Sequence, residues 1–167
     1  FNRFIKKVVW NKKCLAYLIM RAVIQRVECA QVSIDKQIIG SISNGILLYL
    51  GIHNTDTLTT VTELGKKISS LRIFPDDNKK MNLSLNDIKG DLLIISQFTL
   101  YANCKKGNRP SFINAADPVY AKKIYNEFVN YMTLQKNINI QTGKFGEDMQ
   151  ILSTNYGPVT ILLDTDE

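Results

Sequence analysis

Polar side chains end a buried apolar run in the middle of the chain. Four consecutive aliphatic residues, Leu92 to Ile95, follow the turn-forming residues Lys89-Gly90-Asp91. An uninterrupted apolar run of this length predicts a strand that is covered on both faces. Ser96, Gln97 and Thr99 come next and supply hydroxyl and amide groups. Backbone N–H groups left unpaired at such a strand end can point at a ligand and stabilise an oxyanion.

A second polar segment lies near the end of the chain, between two further apolar runs. It reads Asn155-Tyr156-Gly157-Pro158-Val159-Thr160. Its Gly157-Pro158 bond is a candidate cis peptide, because only bonds that precede proline adopt the cis form at low cost. Taken separately, each segment has an ordinary alternative. The first is also typical of a strand that leaves the core, and the second of a plain turn.

The chain has few histidine and cysteine residues from which a common catalytic or metal-binding site could be built. His53 is the only histidine, and it stands in a polar loop where we expect a solvated role. A Ser-His-Asp or Cys-His arrangement would have to be built around it. Cys14, Cys29 and Cys104 are widely separated and have no paired spacing. We therefore expect neither a metal site nor a cofactor.

The first half of the chain predicts strands that must position these residues. The strands are expected over 22–27, 30–34, 37–42 and 46–50, with turns at Asp35-Lys36 and Asn44-Gly45. An Asn-Gly pair between two strand-like runs favours a hairpin. Two more strands are expected over 149–153 and 159–163, on either side of the Gly157-Pro158 turn.

Two amphipathic helices are predicted between these strands. The first has apolar residues at helical spacing from Leu58 to Leu71, with Asp56 as its N-cap. The second begins at Asp117-Pro118, an N-cap followed by proline at the first helical position. Its predicted buried residues are Ala121, Ile124, Tyr125, Phe128 and Met132. Strands and two main helices together predict an α+β fold with a curved, barrel-like antiparallel or mixed sheet and the helices packed on one side.

Charge and length predict a single domain with a separate leader. The net charge of +6 comes mostly from residues 1–19, which hold five basic residues and no acid. The remainder has 16 basic and 15 acidic residues, so bulk charge does not predict RNA binding. We expect residues 1–19 to be an extension upstream of a native start at Met20, or an organelle-targeting leader, and residues 20–167 to be one domain. No apolar run approaches the roughly 18 residues of a membrane span.

Five segments, in this order, resemble the D-aminoacyl-tRNA deacylase family. They are residues 20–27, Lys80-Met81-Asn82-Leu83, Ser96-Gln97-Phe98-Thr99-Leu100, Arg109-Pro110-Ser111-Phe112 and residues 155–160. The likeness covers residues 20–167. It implies the D-aminoacyl-tRNA deacylase fold, a homodimer with the site at the subunit interface, and a cytoplasmic enzyme, or an organellar one if residues 1–19 are a targeting leader.

The implied activity is hydrolysis of the ester between a D-amino acid, or glycine, and the 3′ acceptor end of tRNA. The resemblance assigns catalysis to Ser96, Gln97, Phe98 and Thr99 and needs no cofactor. Backbone N–H groups around Phe98 and Thr99 are expected to hold the carbonyl oxygen while the 2′-hydroxyl of the substrate helps to activate water. Direct attack by the Thr99 hydroxyl is the alternative, although the sequence places no base beside it.

Chiral selection is implied for Gly157 and Pro158, which are expected to enter the site from the second subunit and to exclude L side chains. Arg26 is expected to brace this segment, the alternative being an exposed strand charge. For tRNA we expect phosphate contacts from three cations of the loop after the central strand, or else an ordinary solvated loop. The three cations are Lys105, Lys106 and Arg109.

Two other functions remain open. The related animal deacylase that removes misacylated L-alanine has proline where this chain has Ser96, so Ser96 and Phe98 favour the D-specific branch. A non-catalytic module that binds nucleic acid or protein is the second alternative, suggested by the basic leader and Lys105-Lys106.

Overall fold

The computed structural model describes residues 20–164, and the predicted leader, residues 1–19, lies outside the described residues. The strands are β1 (Arg21–Ile34), β2 (Gln37–Ile42), β3 (Gly45–Gly51), β4 (Phe74–Pro75), β5 (Met81–Leu83), β6 (Asp91–Ser96), β7 (Asn139–Thr142) and β8 (Gln150–Leu163). The helices are α1 (Leu58–Ser70), α2 (Leu85–Ile88), the 3₁₀ helix Phe98–Tyr101 and α3 (Pro118–Thr133).

Six of these strands form one mixed sheet that curls into a nearly closed barrel. Their order is β2-β1-β3-β6-β7, and β8 pairs with β1. The pairs made by β1 are antiparallel, whereas β3–β6 and β6–β7 are parallel. The two ends of the sheet approach each other, since a methyl group added to Gly40 of β2 would lie 3.0 Å from the Thr142 carbonyl oxygen of β7. The predicted α+β barrel-like sheet is confirmed.

β1 is the strand to which most of the sheet is attached, and its pairing corrects one prediction. It is a single strand of 14 residues where two short strands were expected. The hairpin lies at Asp35 and Lys36, which both have positive φ angles, and joins β1 to β2. The predicted hairpin at Asn44-Gly45 is wrong, because β2 and β3 pair with different parts of β1 and not with each other.

Gly45 has a packing role in place of the predicted turn role. It pairs with Val27 of β1 on one side and with Asp91 of β6 on the other. A methyl group at Gly45 would lie 2.0 Å from the Asp91 carbonyl oxygen. The backbone N–H of Asp91 also donates to the Asn44 carbonyl oxygen at 3.1 Å. The absence of a side chain at Gly45 therefore lets β6 start in close contact with β3.

The central strand β6 is buried on both faces, as predicted. Leu92 and Ile94 belong to the core between the sheet and the helices, and Leu93 and Ile95 to the core inside the barrel. Both main helices pack into the first core. The five predicted buried residues of α3 are all found there, while Tyr125 also donates a hydrogen bond from its hydroxyl to the Ile94 carbonyl oxygen at 2.9 Å.

The helix boundaries are close to those predicted, with one correction. Asp117 caps α3 by accepting hydrogen bonds from the Val119 and Tyr120 N–H groups. The N-cap of α1 is Thr57 and not Asp56, because Thr57 and Thr60 form a capping box. Asp56 is fully buried one residue earlier, and its carboxylate accepts a hydrogen bond from the His53 N–H at 2.7 Å.

β8 runs without interruption through the segment where a turn was expected between two strands. It pairs with β1 from Ala22–Leu163 to Ser33–Gln150, and the register shifts on both sides of Val27. Residues 156–159 of β8 stand opposite Arg26 alone, and Glu28 is the extra residue on β1. The Gly157-Pro158 peptide bond is cis and lies within this strand. In residues 20–164, no helix is long and apolar enough to cross a membrane.

Candidate active site

A cleft of about 660 Å³ opens at the carboxyl end of β6. Ser96, Gln97 and Phe98 line one wall, and residues 145–149 line another. The start of α3, at Pro118, contributes a further part of the rim. Apolar walls with a few converging polar groups are typical of a small-molecule site. Three of the four predicted catalytic residues thus line one cleft together.

The chain turns at once after β6 into the 3₁₀ helix. The Gln97 N–H donates to the Leu50 carbonyl oxygen at 2.8 Å, which fixes the end of the strand against β3. Phe98 and Thr99 then open the helix. The first N–H groups of a helix have no carbonyl partner within it. The N–H groups of Phe98 and Thr99 therefore have no partner inside this helix, and Phe98 lines the cleft.

Thr99, the fourth predicted residue, is held by its neighbour. Its Oγ1 accepts a hydrogen bond from the Gln97 side-chain amide at 2.5 Å. An amide donor does not remove a proton, so this contact orients the hydroxyl without activating it. His53 is engaged elsewhere, because its Nδ1 lies 2.9 Å from Thr55 Oγ1.

Two aromatic rings border the cleft beside this helix. Phe98 is 58% exposed, and its ring meets the Phe112 ring nearly edge-on with 5.0 Å between the ring centres. Phe112 follows the polar loop that carries the predicted tRNA contacts. That loop is closed at its base by two backbone hydrogen bonds between Asn103 and Ser111, of 2.8 and 3.0 Å. Lys105, Lys106 and Arg109 all lie exposed in it.

Arg26 is buried and lies against the Gly157-Pro158 segment. Only 7% of it is exposed, so it is not a solvated strand charge. Its Nε donates to the Tyr156 carbonyl oxygen at 2.9 Å, and its second contact is a hydrogen bond to the Ile73 carbonyl oxygen. The guanidinium group also lies over the Tyr156 ring, with Cζ 4.3 Å from the ring centre.

Gly157 and Pro158 are not part of the cleft of their own chain. Both are exposed, and neither belongs to the residues that line the cleft. In the described part of the chain, β8 pairs only with β1, so its other edge carries no strand. β8 also carries large exposed apolar side chains, with Leu152 67% and Leu162 61% exposed.

A second groove, which the sequence analysis missed, adjoins the cleft. It has a volume of about 610 Å³ and shares Pro118, Phe145 and Gly146 with the cleft. Lys122 and Lys123 of α3 line it, and neither forms an ion pair within residues 20–164. The sequence signal was present, because the predicted buried face of α3 left this adjacent lysine pair on the exposed face.

Arg21 is a further residue that the sequence analysis missed. Its Nη1 donates to the Leu100 carbonyl oxygen at 3.0 Å, and its Nε lies 2.9 Å from Asp164 Oδ2. Its guanidinium group lies over the Tyr101 ring, 4.8 Å from the centre. Burial, with a smaller contribution from the charge of Asp56, raises the pKa of Tyr101, so this phenol stays neutral. No sequence motif indicated this contact, since the partners are distant in the chain.

Metal ligands are not grouped near these residues. Within residues 20–164, no group of three or more His, Cys, Asp or Glu side chains is arranged to hold a metal ion.

Comparison with known proteins identifies close relatives over nearly the whole described chain. The family model described as D-Tyr-tRNA(Tyr) deacylase matches residues 23–164. A D-aminoacyl-tRNA deacylase of Thermosipho africanus is 52% identical over 146 residues, which are 87% of this chain and 97% of that protein. One of Fusobacterium nucleatum is 53% identical, covering 87% of this chain and 96% of its own length.

Two solved structures share the fold. The c-Myc DNA Unwinding Element Binding Protein matches with a TM-score of 0.80 and 37% identity, over 86% of this chain and 97% of its own. A probable eukaryotic D-amino acid tRNA deacylase matches with a TM-score of 0.77 over 87% of this chain and 98% of its own. At 15% identity, the second match concerns the fold alone.

Proposed function

The chain belongs to the D-Tyr-tRNA(Tyr) deacylase family, and we propose that it hydrolyses the ester bond between a D-amino acid and the terminal ribose of tRNA. The observation that carries this proposal is the cleft at the end of β6, into which Ser96, Gln97 and Phe98 project. Donors at the start of the 3₁₀ helix suit the charge that develops on an ester carbonyl oxygen during hydrolysis.

Main-chain groups do most of the catalytic work in this proposal. The N–H groups of Phe98 and Thr99 hold the carbonyl oxygen, while the 2′-hydroxyl of the substrate ribose helps to activate a water molecule. The water oxygen bonds to the carbonyl carbon, the ester bond to the ribose oxygen breaks, and that oxygen leaves with a proton. The products are the free D-amino acid and tRNA. Thr99 orients the turn through Gln97 and is not the nucleophile.

Selection against L-amino acids requires a second copy of the chain. Gly157 and Pro158 lie exposed on β8, outside their own cleft. We propose that they enter the cleft of a second subunit and occupy the space that an L side chain would need. The unpaired edge of β8 supports such a homodimer, since long exposed edges are normally covered, and its exposed leucines offer apolar surface to a partner. A D side chain then points towards solvent, and glycine is accepted because it has no side chain to exclude.

The acceptor end of tRNA leaves the cleft over cationic surfaces. The loop with Lys105, Lys106 and Arg109 borders it on the side of Phe112, and the groove with Lys122 and Lys123 continues it along α3. Phosphates are attracted to such surfaces regardless of sequence. The body of the protein is otherwise nearly neutral, so these local surfaces matter more than the net charge. We place the enzyme in the cytoplasm, where most tRNA is charged.

The direct test compares D-tyrosyl-tRNA and L-tyrosyl-tRNA as substrates under identical conditions. We expect the D ester to be cleaved quickly and the L ester to survive. L-alanyl-tRNA serves as a third substrate, because rapid cleavage of that ester would assign the chain to the alternative deacylase activity. Glycyl-tRNA, the fourth substrate, is expected to be cleaved.

A non-catalytic nucleic-acid-binding role is the second candidate. It takes its support from the name of one relative, the c-Myc DNA Unwinding Element Binding Protein. Tight, salt-sensitive binding of uncharged tRNA or of DNA, together with no cleavage of any aminoacyl ester, would favour it over the deacylase.

A further inference from the structure

We propose that Arg21 is a positioning residue that holds the 3₁₀ helix of the active site in a fixed position relative to β8. The inference rests on the proposed function in one respect, namely that the N–H groups of Phe98 and Thr99 hold the reacting carbonyl oxygen. Arg21 itself lies at the opposite end of this helix and acts through it.

The 3₁₀ helix has little support of its own. It is four residues long, and hydrogen bonds in 3₁₀ helices are less well aligned than those in α-helices. Its first two residues, Phe98 and Thr99, are exposed, whereas its last residue, Tyr101, is buried. The position of the exposed donors therefore depends on how firmly the far end is fixed.

Arg21 fixes that far end by two contacts. Its Nη1 donates to the Leu100 carbonyl oxygen at 3.0 Å, and its guanidinium plane lies over the Tyr101 ring. Tyr101 in turn packs on β3, since a methyl group at Gly51 would lie 3.0 Å from its ring. A charged donor forms a stronger hydrogen bond than a neutral one, so the Leu100 contact resists displacement of the helix.

The same guanidinium group reaches the end of β8. Its Nε lies 2.9 Å from Asp164 Oδ2. Asp164 directly follows Leu163, the β8 residue that pairs with Ala22 of β1. β8 also carries Gly157 and Pro158. One side chain thus connects the oxyanion donors with the strand proposed to select the D-amino acid. A lysine at this position cannot make all of these contacts, because it is a point charge on a flexible stem and lacks the planar fork of arginine.

The test uses Arg21→Met and Arg21→Lys in the full chain, assayed on D-tyrosyl-tRNA. We expect Arg21→Met to lower kcat by about 10- to 100-fold, because a displacement of about 1 Å costs that much in a positioned site. KM should change less than about twofold, since Arg21 does not touch the substrate. Arg21→Lys should recover only part of the loss. Arg72→Met is the matched control, because Arg72 makes a comparable contact with the Asn82 carbonyl oxygen, far along the chain from the 3₁₀ helix.

A second readout needs no substrate. The N–H groups of Leu100 and Ala102 donate to Gln97 and Thr99 carbonyl oxygens within this turn. Their hydrogen exchange should become faster in Arg21→Met, while exchange in β1, β3 and β6 stays as in the parent protein. Unchanged exchange at these two amides, or an unchanged kcat, overturns the proposal, as does a uniform rise in exchange across the sheet. Faster exchange at these two amides in Arg21→Met, together with a parent protein that cleaves no D-aminoacyl-tRNA, would instead show that the proposed function is wrong and that Arg21 still holds the helix.

Discussion

The guanidinium group of Arg26 holds Tyr156 by two contacts. Its Nε donates to the Tyr156 carbonyl oxygen at 2.9 Å, and its Cζ lies 4.3 Å from the centre of the Tyr156 ring. A buried arginine that stacks on an aromatic ring and donates to its backbone fixes both the strand and the side chain. Tyr156 immediately precedes Gly157, so the contact determines where the proposed selective segment stands.

Replacing Gly157 with alanine should disturb this contact directly. The new methyl group would lie 2.7 Å from an Arg26 guanidinium nitrogen, and the φ angle of +127° is one that L residues rarely adopt. We expect the ratio of D- to L-tyrosyl-tRNA cleavage rates to fall at least about tenfold, a change of about 1.4 kcal/mol in discrimination. Gly107→Ala is the control, because Gly107 also has a positive φ angle but has open space around it. Unaltered selectivity in Gly157→Ala would count against the exclusion mechanism.

Thr99→Ala distinguishes main-chain catalysis from a threonine nucleophile. Within residues 20–164, the Gln97 side-chain amide is the group bonded to the Thr99 hydroxyl, and an amide does not act as a base. We expect kcat on D-tyrosyl-tRNA to fall by less than about tenfold, since one neutral hydrogen bond is lost. Single-turnover kinetics should show no covalent intermediate in either protein. A loss above about a thousandfold would establish the hydroxyl as a reacting group.

β8, with its unpaired edge and its exposed leucines, should form the dimer contact. Leu152 is 67% exposed there, and a charge at this position would be buried unpaired in any interface. We expect Leu152→Glu to be monomeric by light scattering and to lose both activity and selectivity, because Gly157 and Pro158 no longer reach a partner cleft. Leu134→Glu, at the end of α3 and 79% exposed, is the matched control and should remain dimeric. A monomeric Leu152→Glu protein with full activity would exclude the shared site.

The salt dependence of tRNA binding should show whether the groove lined by Lys122 and Lys123 contacts tRNA phosphates. Each phosphate contact contributes about 0.7 to 0.9 to the slope of log affinity against log salt concentration. Reversing both charges in Lys122→Glu/Lys123→Glu should therefore reduce the slope for tRNA binding by about 1.4 to 1.8 or more. The control Lys66→Glu/Lys136→Glu makes the same change in net charge at exposed positions that do not line the cleft or the groove. Equal slopes in the two double variants would remove α3 from the tRNA path.

Gly45→Ala tests the close contact between β3 and β6. The added methyl group meets backbone atoms of Asp91, which cannot move aside as a flexible side chain does. Overpacking of this kind typically lowers the free energy of unfolding by about 1 to 3 kcal/mol. We expect a loss near the upper end of that range, measured by urea unfolding. Asn44→Ala should be nearly neutral, because the Asn44 contact to Asp91 is made by its carbonyl oxygen. Similar losses of stability in Gly45→Ala and Asn44→Ala would indicate that the two residues act together as a turn.

Periodicity predicted the elements whose burial repeats along the chain. The five buried residues of α3 and the run from Leu92 to Ile95 were found as expected, because a helix or strand with a buried face shows its period in the sequence. The family resemblance is confirmed as well. The Asn44-Gly45 hairpin was wrong because the local preference of Asn-Gly for a turn was overridden by a tertiary arrangement in which β2 and β3 pair with different parts of β1 and not with each other.

The candidate site was predicted only in its local part. Ser96 to Thr99 are contiguous, so one sequence motif contains them. Arg21 meets Leu100 and Asp164 across 79 and 143 positions of the chain, and nothing in a local window records such a contact. The lysine pair of α3 was visible as an exposed pair, but its position beside the cleft depends on how α3 lies on the sheet.

The pairing of β1 with β8 also has a consequence for the synthesis of the protein. Every residue pair between these strands joins positions at least 117 apart in the chain, from Ser33–Gln150 outwards. Contacts this distant form late, because a long loop must close before they contribute. During translation β1 therefore emerges with one edge unpaired and keeps it until residues 150–163 have been made. A ribosome that stops before that point leaves a chain that contains β2, β3 and β6 but lacks the strand proposed to select the amino acid.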